Sequence, residues 1–209
     1  MEKARKFAEK LLQIKAVRIS ADEPFIWASG WRSPVYCDNR KVLSDPQLRS
    51  YVKDQLAESI RKSFPGASAI AGVATAGIPH GVLAADALRL PFFYVRSKPK
   101  THGLGNQIEG GLVKGQKVVV IEDLVSTGKS SLEAVDALRA AEADVIGMCT
   151  LFTYGFPQAE ALFANAGISL ISISNYSVLI EIAEELGLIK TEDKEQLSEW
   201  RLHPATWGR

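Results

Sequence analysis

The chain has 209 residues, 46% hydrophobic and 23% charged, with a formal charge of +1 at pH 7. This is ordinary globular composition at a length that supports one main domain. Near-neutral charge excludes broad electrostatic attraction to nucleic acid or membranes, so any anion site must be assembled locally.

Residues 1–17, MEKARKFAEKLLQIKAV, alternate charged and apolar positions at helical spacing. They are expected to form an amphipathic surface helix, since they lack the uninterrupted apolar region of a signal peptide. No apolar run approaches the roughly 18 to 20 residues needed to span a bilayer. Cys37 and Cys149 are the only cysteines and form no CxxC. Neither a disulfide framework nor a cysteine-based zinc site is indicated, and a reduced cytosolic setting is expected.

Residues 25–38 read as two β pieces joined by a Ser29-Gly30 turn. A helix is predicted over 45–64, with Leu48, Val52, Leu56 and Ile60 on one face and Pro65-Gly66 as its stop. The pattern then alternates. Strands are predicted at 68–73, 92–95, 118–121, 145–152 and 168–173, and helices at 78–89, 131–141, 157–165 and 192–202. Such alternation predicts an α/β fold with a mostly parallel sheet flanked by helices. Residues 66–173 would form its core, and 1–65 a small N-terminal cap or hood on which 174–209 pack, all in one compact unit. Ligands in open sheets of this kind sit beyond the carboxyl ends of the strands.

The segment 118–131, VVVIEDLVSTGKSS, runs an apolar strand into two adjacent acids and a small, hydroxyl-rich turn. The first amides of the helix that follows lack internal partners, and the helix dipole favours an anion there. Gly128-Lys129-Ser130 superficially matches the end of a nucleoside-triphosphate P-loop. The position of that motif's first glycine, however, holds Asp123, whose charge would oppose triphosphate oxygens. A strand ending in an acidic helix cap would account for one acid but not for two that repel each other. Glu122 and Asp123 suit the vicinal hydroxyls of a ribose, while the amides and hydroxyls of Leu124, Val125, Ser126, Thr127, Gly128, Lys129 and Ser130 suit its 5-phosphate.

Three further segments carry chemistry. Thr75-Ala76-Gly77 lies between a predicted strand and helix, and its small side chains would let backbone amides approach a pyrophosphate. Alone it reads equally well as a ligand-free turn. Arg96, Lys98, Lys100 and His102 crowd the start of a polar, glycine-rich stretch with the composition of a lid; loops this long tend to be functional. Residues 27–40 mix aromatic and polar groups that could contact a planar base, although alternating aromatics more often serve packing.

Together these segments resemble the orotate phosphoribosyltransferases, a type I phosphoribosyltransferase family with a Rossmann-like core. The resemblance rests on the SGxxSP turn at 29–34, the small-residue loop, the RxKxKxHG lid and the acid pair that introduces the 5-phosphoribosyl-1-diphosphate (PRPP) motif. It implies that Arg96, Lys98, Lys100 and His102 act on the diphosphate and that Ser126, together with Tyr36, contacts orotate. It also implies Mg²⁺ held mainly by substrate and water, and a homodimer with the lid shared between subunits. Some members carry lysine at the positions of Ala28 and Ala76 and arginine near Tyr154, and the acid pair here is Glu-Asp instead of Asp-Asp. Phosphoribosyltransferases for other bases and non-catalytic PRPP sensors share the acid-pair motif, but neither calls for this lid. His80 and His203 read as structural or exposed.

Overall fold

The computed structural model describes residues 1–20, 22–27, 29–98, 107–112 and 114–208. Its centre is a six-stranded sheet of β5 (Ala69–Val73), β6 (Phe92–Val95), β7 (Ile108–Glu109), β8 (Lys117–Val125), β9 (Asp144–Thr153) and β10 (Leu170–Asn175). The strand order is β10-β9-β8-β5-β6-β7, and only β7 runs antiparallel to its neighbour. The predicted mostly parallel α/β sheet is therefore present, with β8 and β5 at its centre.

Successive residues of a strand point to opposite faces, and both faces of this sheet are covered. Val119 and Ile121 of β8 join the cluster built by helices α1 (Glu2–Gln13), α2 (Pro46–Ser63), α6 (Tyr176–Glu185) and α7 (Asp193–Leu202). Val118 and Val120 pack on the other side with Val135 and Leu138 of α4 (Lys129–Ala140) and Phe163 of α5 (Pro157–Asn165). Burial on both faces explains why β8 begins as a continuous apolar run. Helix α3 (Gly77–Leu88) lies close to β8, and glycine makes that approach possible: a Cβ at Gly77 would stand 2.5 Å from the carbonyl oxygen of Ile121 on that strand.

The hood consists of two small antiparallel pairs. Strands β2 (Phe25–Ile26) and β3 (Arg32–Ser33) form a hairpin, and β1 (Val17–Ile19) pairs with β4 (Val35–Cys37). A 3-10 helix, Asn39–Ser44, follows, and Asp45 then caps α2 by accepting from the amides of Gln47 and Leu48. Phe7 and Leu11 of α1, Val35 of the hood and Trp200 of α7 belong to the same apolar cluster as the sheet.

The structure differs from the sequence reading at several places. Strand β8 does not stop at Ile121 but continues to Val125, because β9 keeps pairing with it at Glu122↔Thr150 and Leu124↔Phe152. Helix α4 starts at Lys129, two residues before the expected position. Strand β10 lies two residues later than expected. Strands β1 and β7 and helix α6 were not anticipated. Helix α6 is announced by Asn175, whose side chain accepts from the Val178 amide, and by buried Leu179, Ile180, Ile182 and Ala183. That spacing is helical, but it directly follows an apolar strand, and the two runs merge in sequence.

His80 on α3 is 1% exposed, and neither ring nitrogen has a hydrogen-bond partner among the described residues. Burial pushes its pKa down to about 4, which favours the neutral ring. Between pH 4 and the unfolded value near 6.5 the unfolded chain binds the extra proton. Stability contributed by the neutral ring is thus complete above pH 6.5 and lost as pH falls, by up to about 3 kcal/mol. Urea unfolding of wild type and His80→Leu at pH 7.5 and pH 4.5 checks this. The variant should lose less stability on acidification, and equal losses would show that His80 carries no share of the acid sensitivity.

Candidate active site

The carboxyl ends of β5 and β8 open into a cleft of about 330 Å³. The β5–α3 turn lines it with Thr75 and Ala76, and β8 with Glu122, Asp123 and Leu124. Ser130 of α4 and Cys37, Asp38 and Arg40 of the hood complete it. The Ala74–Thr75 peptide in the turn is cis.

The two acids sit inside the paired part of β8. Glu122 is 7% exposed; its Oε1 accepts from the Asp123 amide at 3.1 Å and its Oε2 from the Ser131 hydroxyl at 3.3 Å. Burial, then the neighbouring Asp123 charge, pushes the Glu122 carboxyl well above the usual range. Asp123 is half-buried, and burial raises its pKa too, while the Arg40 guanidinium pulls the other way. Burial thus disfavours the charged form of both acids, and Glu122 is the more enclosed of the two. The hood is tied directly to this strand: Asn39, fully buried, donates from Nδ2 to the Asp123 carbonyl at 2.7 Å. Its Oδ1 accepts from the Cys37 thiol at 3.3 Å.

Beyond the acids, Val125 is buried in the core, and its carbonyl accepts from the Tyr154 amide and the Thr153 hydroxyl. Ser126 and Thr127 are half-buried, and the chain turns through Gly128 at φ +81°. Gly128 is the N-cap of α4, and no side chain caps this helix end. Lys129 and Ser130 are exposed. The geometry offers first-turn amides without a side-chain cap beside two carboxylates, an arrangement suited to a phosphorylated sugar.

The structure thus brings Thr75, Ala76, Glu122, Asp123, Leu124 and Ser130 together, with Gly77 opening α3 behind them. It places Tyr36 elsewhere. Successive residues of β4 face opposite ways, so with Cys37 in the cleft Tyr36 turns to Phe25, at 5.7 Å between ring centroids, under the Arg18 guanidinium. Arg96 lies at the end of β6, where its amide donates to the Gln107 carbonyl and its guanidinium stands 3.8 Å from Glu109. Lys98 is exposed. Lys100 and His102 lie outside the described residues, as does Ala28. Tyr154 is buried among aromatic rings, stacked on Phe156 at 5.4 Å. Asp38, Asn39 and Arg40 were not singled out individually from sequence. Their signal was a short polar run directly after a strand.

An α/β sheet with an acid pair and an open helix end at its carboxyl edge defines a phosphoribosyltransferase, and the family model described as "Phosphoribosyl transferase domain" matches residues 42–175. Among curated proteins, orotate phosphoribosyltransferase of Bacteroides fragilis is 55% identical over 203 residues, covering 97% of this chain and 96% of the relative. That of Listeria monocytogenes is 51% identical over 205 residues, covering 98% of each. The crystal structure of orotate phosphoribosyltransferase from Aeropyrum pernix superposes with a TM-score of 0.76 at 34% identity, covering 88% of this chain and 99% of that one. The chain belongs to the orotate phosphoribosyltransferase family.

Gly128 gives the phosphate turn a direct test. An alanine Cβ would meet the Phe163 ring at 2.8 Å while forcing a left-handed backbone on a non-glycine residue. Gly128→Ala is expected to lower unfolding free energy by about 1–3 kcal/mol and to weaken PRPP binding. Thermal unfolding and calorimetric titration measure the two effects, and a variant unchanged in both would remove Gly128 from the turn's design.

Proposed function

We propose that the chain transfers the 5-phosphoribosyl group of PRPP to N1 of orotate, giving orotidine 5′-monophosphate and pyrophosphate in pyrimidine biosynthesis. The observation that carries this reading is the joining of Glu122, Asp123, the Thr75–Ala76 turn and the end of α4 in one cleft. The identity to orotate phosphoribosyltransferases supports the choice of base.

In this reaction N1 gives up its proton to solvent and bonds to C1 of the ribose as the C1–oxygen bond breaks, and the electron pair of that bond leaves on the diphosphate. Positive charge develops on the sugar and negative charge on the leaving group, so groups that meet both charges lower the barrier. Asp123 opposes the oxocarbenium charge, and Asp123 and Glu122 hold the ribose hydroxyls. The amides from Leu124 to Ser130 hold the 5-phosphate, with Gly128 setting their direction. Thr75, Ala76 and Gly77 present backbone to the diphosphate. Arg96, Lys98, Lys100 and His102 neutralise it, and Ser126 meets the base beside the phosphate turn. Closure of the lid excludes water that would intercept the activated sugar.

Mg²⁺ fits this cleft as a shared guest. Two adjacent carboxylates are hard oxygen donors, and no group of three or more His, Cys, Asp or Glu suited to a metal occurs among the described residues. Substrate oxygens and water would complete the shell, and the ion when bound offsets diphosphate charge. The lid is assigned to the neighbouring site of a homodimer, in keeping with the family resemblance. Residues 1–65 with 174–209 serve as a hood over a 66–173 core, which the shared apolar cluster supports. A cytoplasmic setting accords with two free cysteines and with no helix among the described residues long and apolar enough to cross a membrane.

Base consumption by the purified protein with PRPP and Mg²⁺ tests the reading. Orotate should be converted, and uracil, hypoxanthine and adenine should not. Conversion of another base in preference, or PRPP binding without turnover, would overturn it. Lys100→Ala should lower kcat by about 10²-fold or more with unchanged thermal unfolding, and an unchanged kcat would remove Lys100 from the mechanism.

A further inference from the structure

Orotate differs from uracil by a carboxylate, so a site that selects it must present a cation to the base. Two places where some members of the family carry lysine hold Ala28 and Ala76 in this chain, and Tyr154, near a third cationic position, is buried among aromatic rings. The cleft nevertheless contains one guanidinium. Arg40 is the only lysine or arginine among the described residues that line it.

Its setting is built for presentation. The Arg40 Nε donates to Asp38 Oδ1 at 2.6 Å, and the Arg40 amide donates to the same oxygen at 3.3 Å. Asp38 is the only hydrogen-bond partner of the guanidinium among the described residues, and this contact engages Nε, leaving the two terminal nitrogens for a ligand. The side chain is 65% exposed, so its outer edge reaches solvent in the cleft. The backbone beneath it is fixed: Asn39, the preceding residue, is fully buried and bound to the Asp123 carbonyl at 2.7 Å. Lys41, the following residue, is turned away and donates to the Lys15 carbonyl. Arg40 is therefore held at a set position relative to the acids that grip the ribose. The turn at 75–77 and the α4 end are committed to the diphosphate and the 5-phosphate, which leaves the hood side of the cleft for the base.

We propose that Arg40, braced by Asp38 and anchored through Asn39, binds the orotate carboxylate with its terminal guanidinium nitrogens and so sets the base specificity. Resting on the activity proposed above, this assignment names the group that reads the base. A planar guanidinium with two parallel N–H donors matches a carboxylate in a way lysine cannot.

Steady-state kinetics of wild type, Arg40→Ala and Arg40→Lys test it, with orotate varied at saturating PRPP and PRPP varied at saturating orotate. Arg40→Ala should raise the orotate KM by about 10- to 100-fold and change the PRPP KM by less than about twofold, with Arg40→Lys between the two. Inhibition by uracil, which lacks the carboxylate, should be the same in wild type and Arg40→Ala. An orotate KM that survives the alanine change would overturn the assignment. So would a parallel rise in both KM values, which marks a phosphate contact or a damaged hood, or an equal weakening of uracil. Absence of orotate turnover in wild type would instead overturn the underlying activity, a result visible before any variant is made.

Discussion

A carboxylate removed from water is costly unless other groups compensate it, and the cleft is organised around such a group. Glu122 occupies the last well-covered stretch of the central strand, held by the Asp123 amide and the Ser131 hydroxyl. Continued pairing with β9 keeps it inside the sheet. On the activity proposed above, sugar hydroxyls entering the cleft supply further hydrogen bonds to this group. The adjacent acid lies closer to solvent and feels the Arg40 guanidinium, so the pair has a more shielded member and a more open one. Differing surroundings therefore give two neighbouring carboxyls different tasks.

The same strand positions everything else in the cleft. Its first half supplies apolar residues to both layers of helices, its second half carries the acids, and its carbonyls at Asp123 and Val125 accept from the hood and from the end of β9. The two acids need little machinery of their own, because they occupy consecutive places on one strand that the core already immobilises. The N-terminal strands are tied to this strand by the buried Asn39 amide and to α7 by the Trp200 indole, together with apolar packing farther back.

The alternation of short apolar strands and amphipathic helices was legible because burial on both faces produces continuous Val and Ile runs, while helices α2 and α4 expose one side. The passage from strand to helix after the acid pair was legible because an apolar run gives way to two acids and a small, hydroxyl-rich segment. Tyr36 was misplaced for a simple reason: an aromatic residue in a short strand has two possible directions, and only its pairing with β1 and the neighbouring Cys37 reveals which one it takes. Helix α6 was hidden because its apolar spacing abuts that of β10 with no glycine or proline between them. The role of Asn39 depends on a contact with a carbonyl 84 residues away, which no local pattern encodes.

Trp200 of α7 is fully buried, its indole N–H donates to the Arg32 carbonyl of the hood, and its ring packs edge-on against Trp27 and Tyr154. A hairpin made early in synthesis thus depends on a plug made late. Chains emerge from the ribosome with the N-terminal part first, so residues 25–37 must wait unlatched until residues 193–202 arrive. The β2–β3 hairpin is accordingly among the last parts of the enzyme to take its final shape, after the central sheet has its strands in hand.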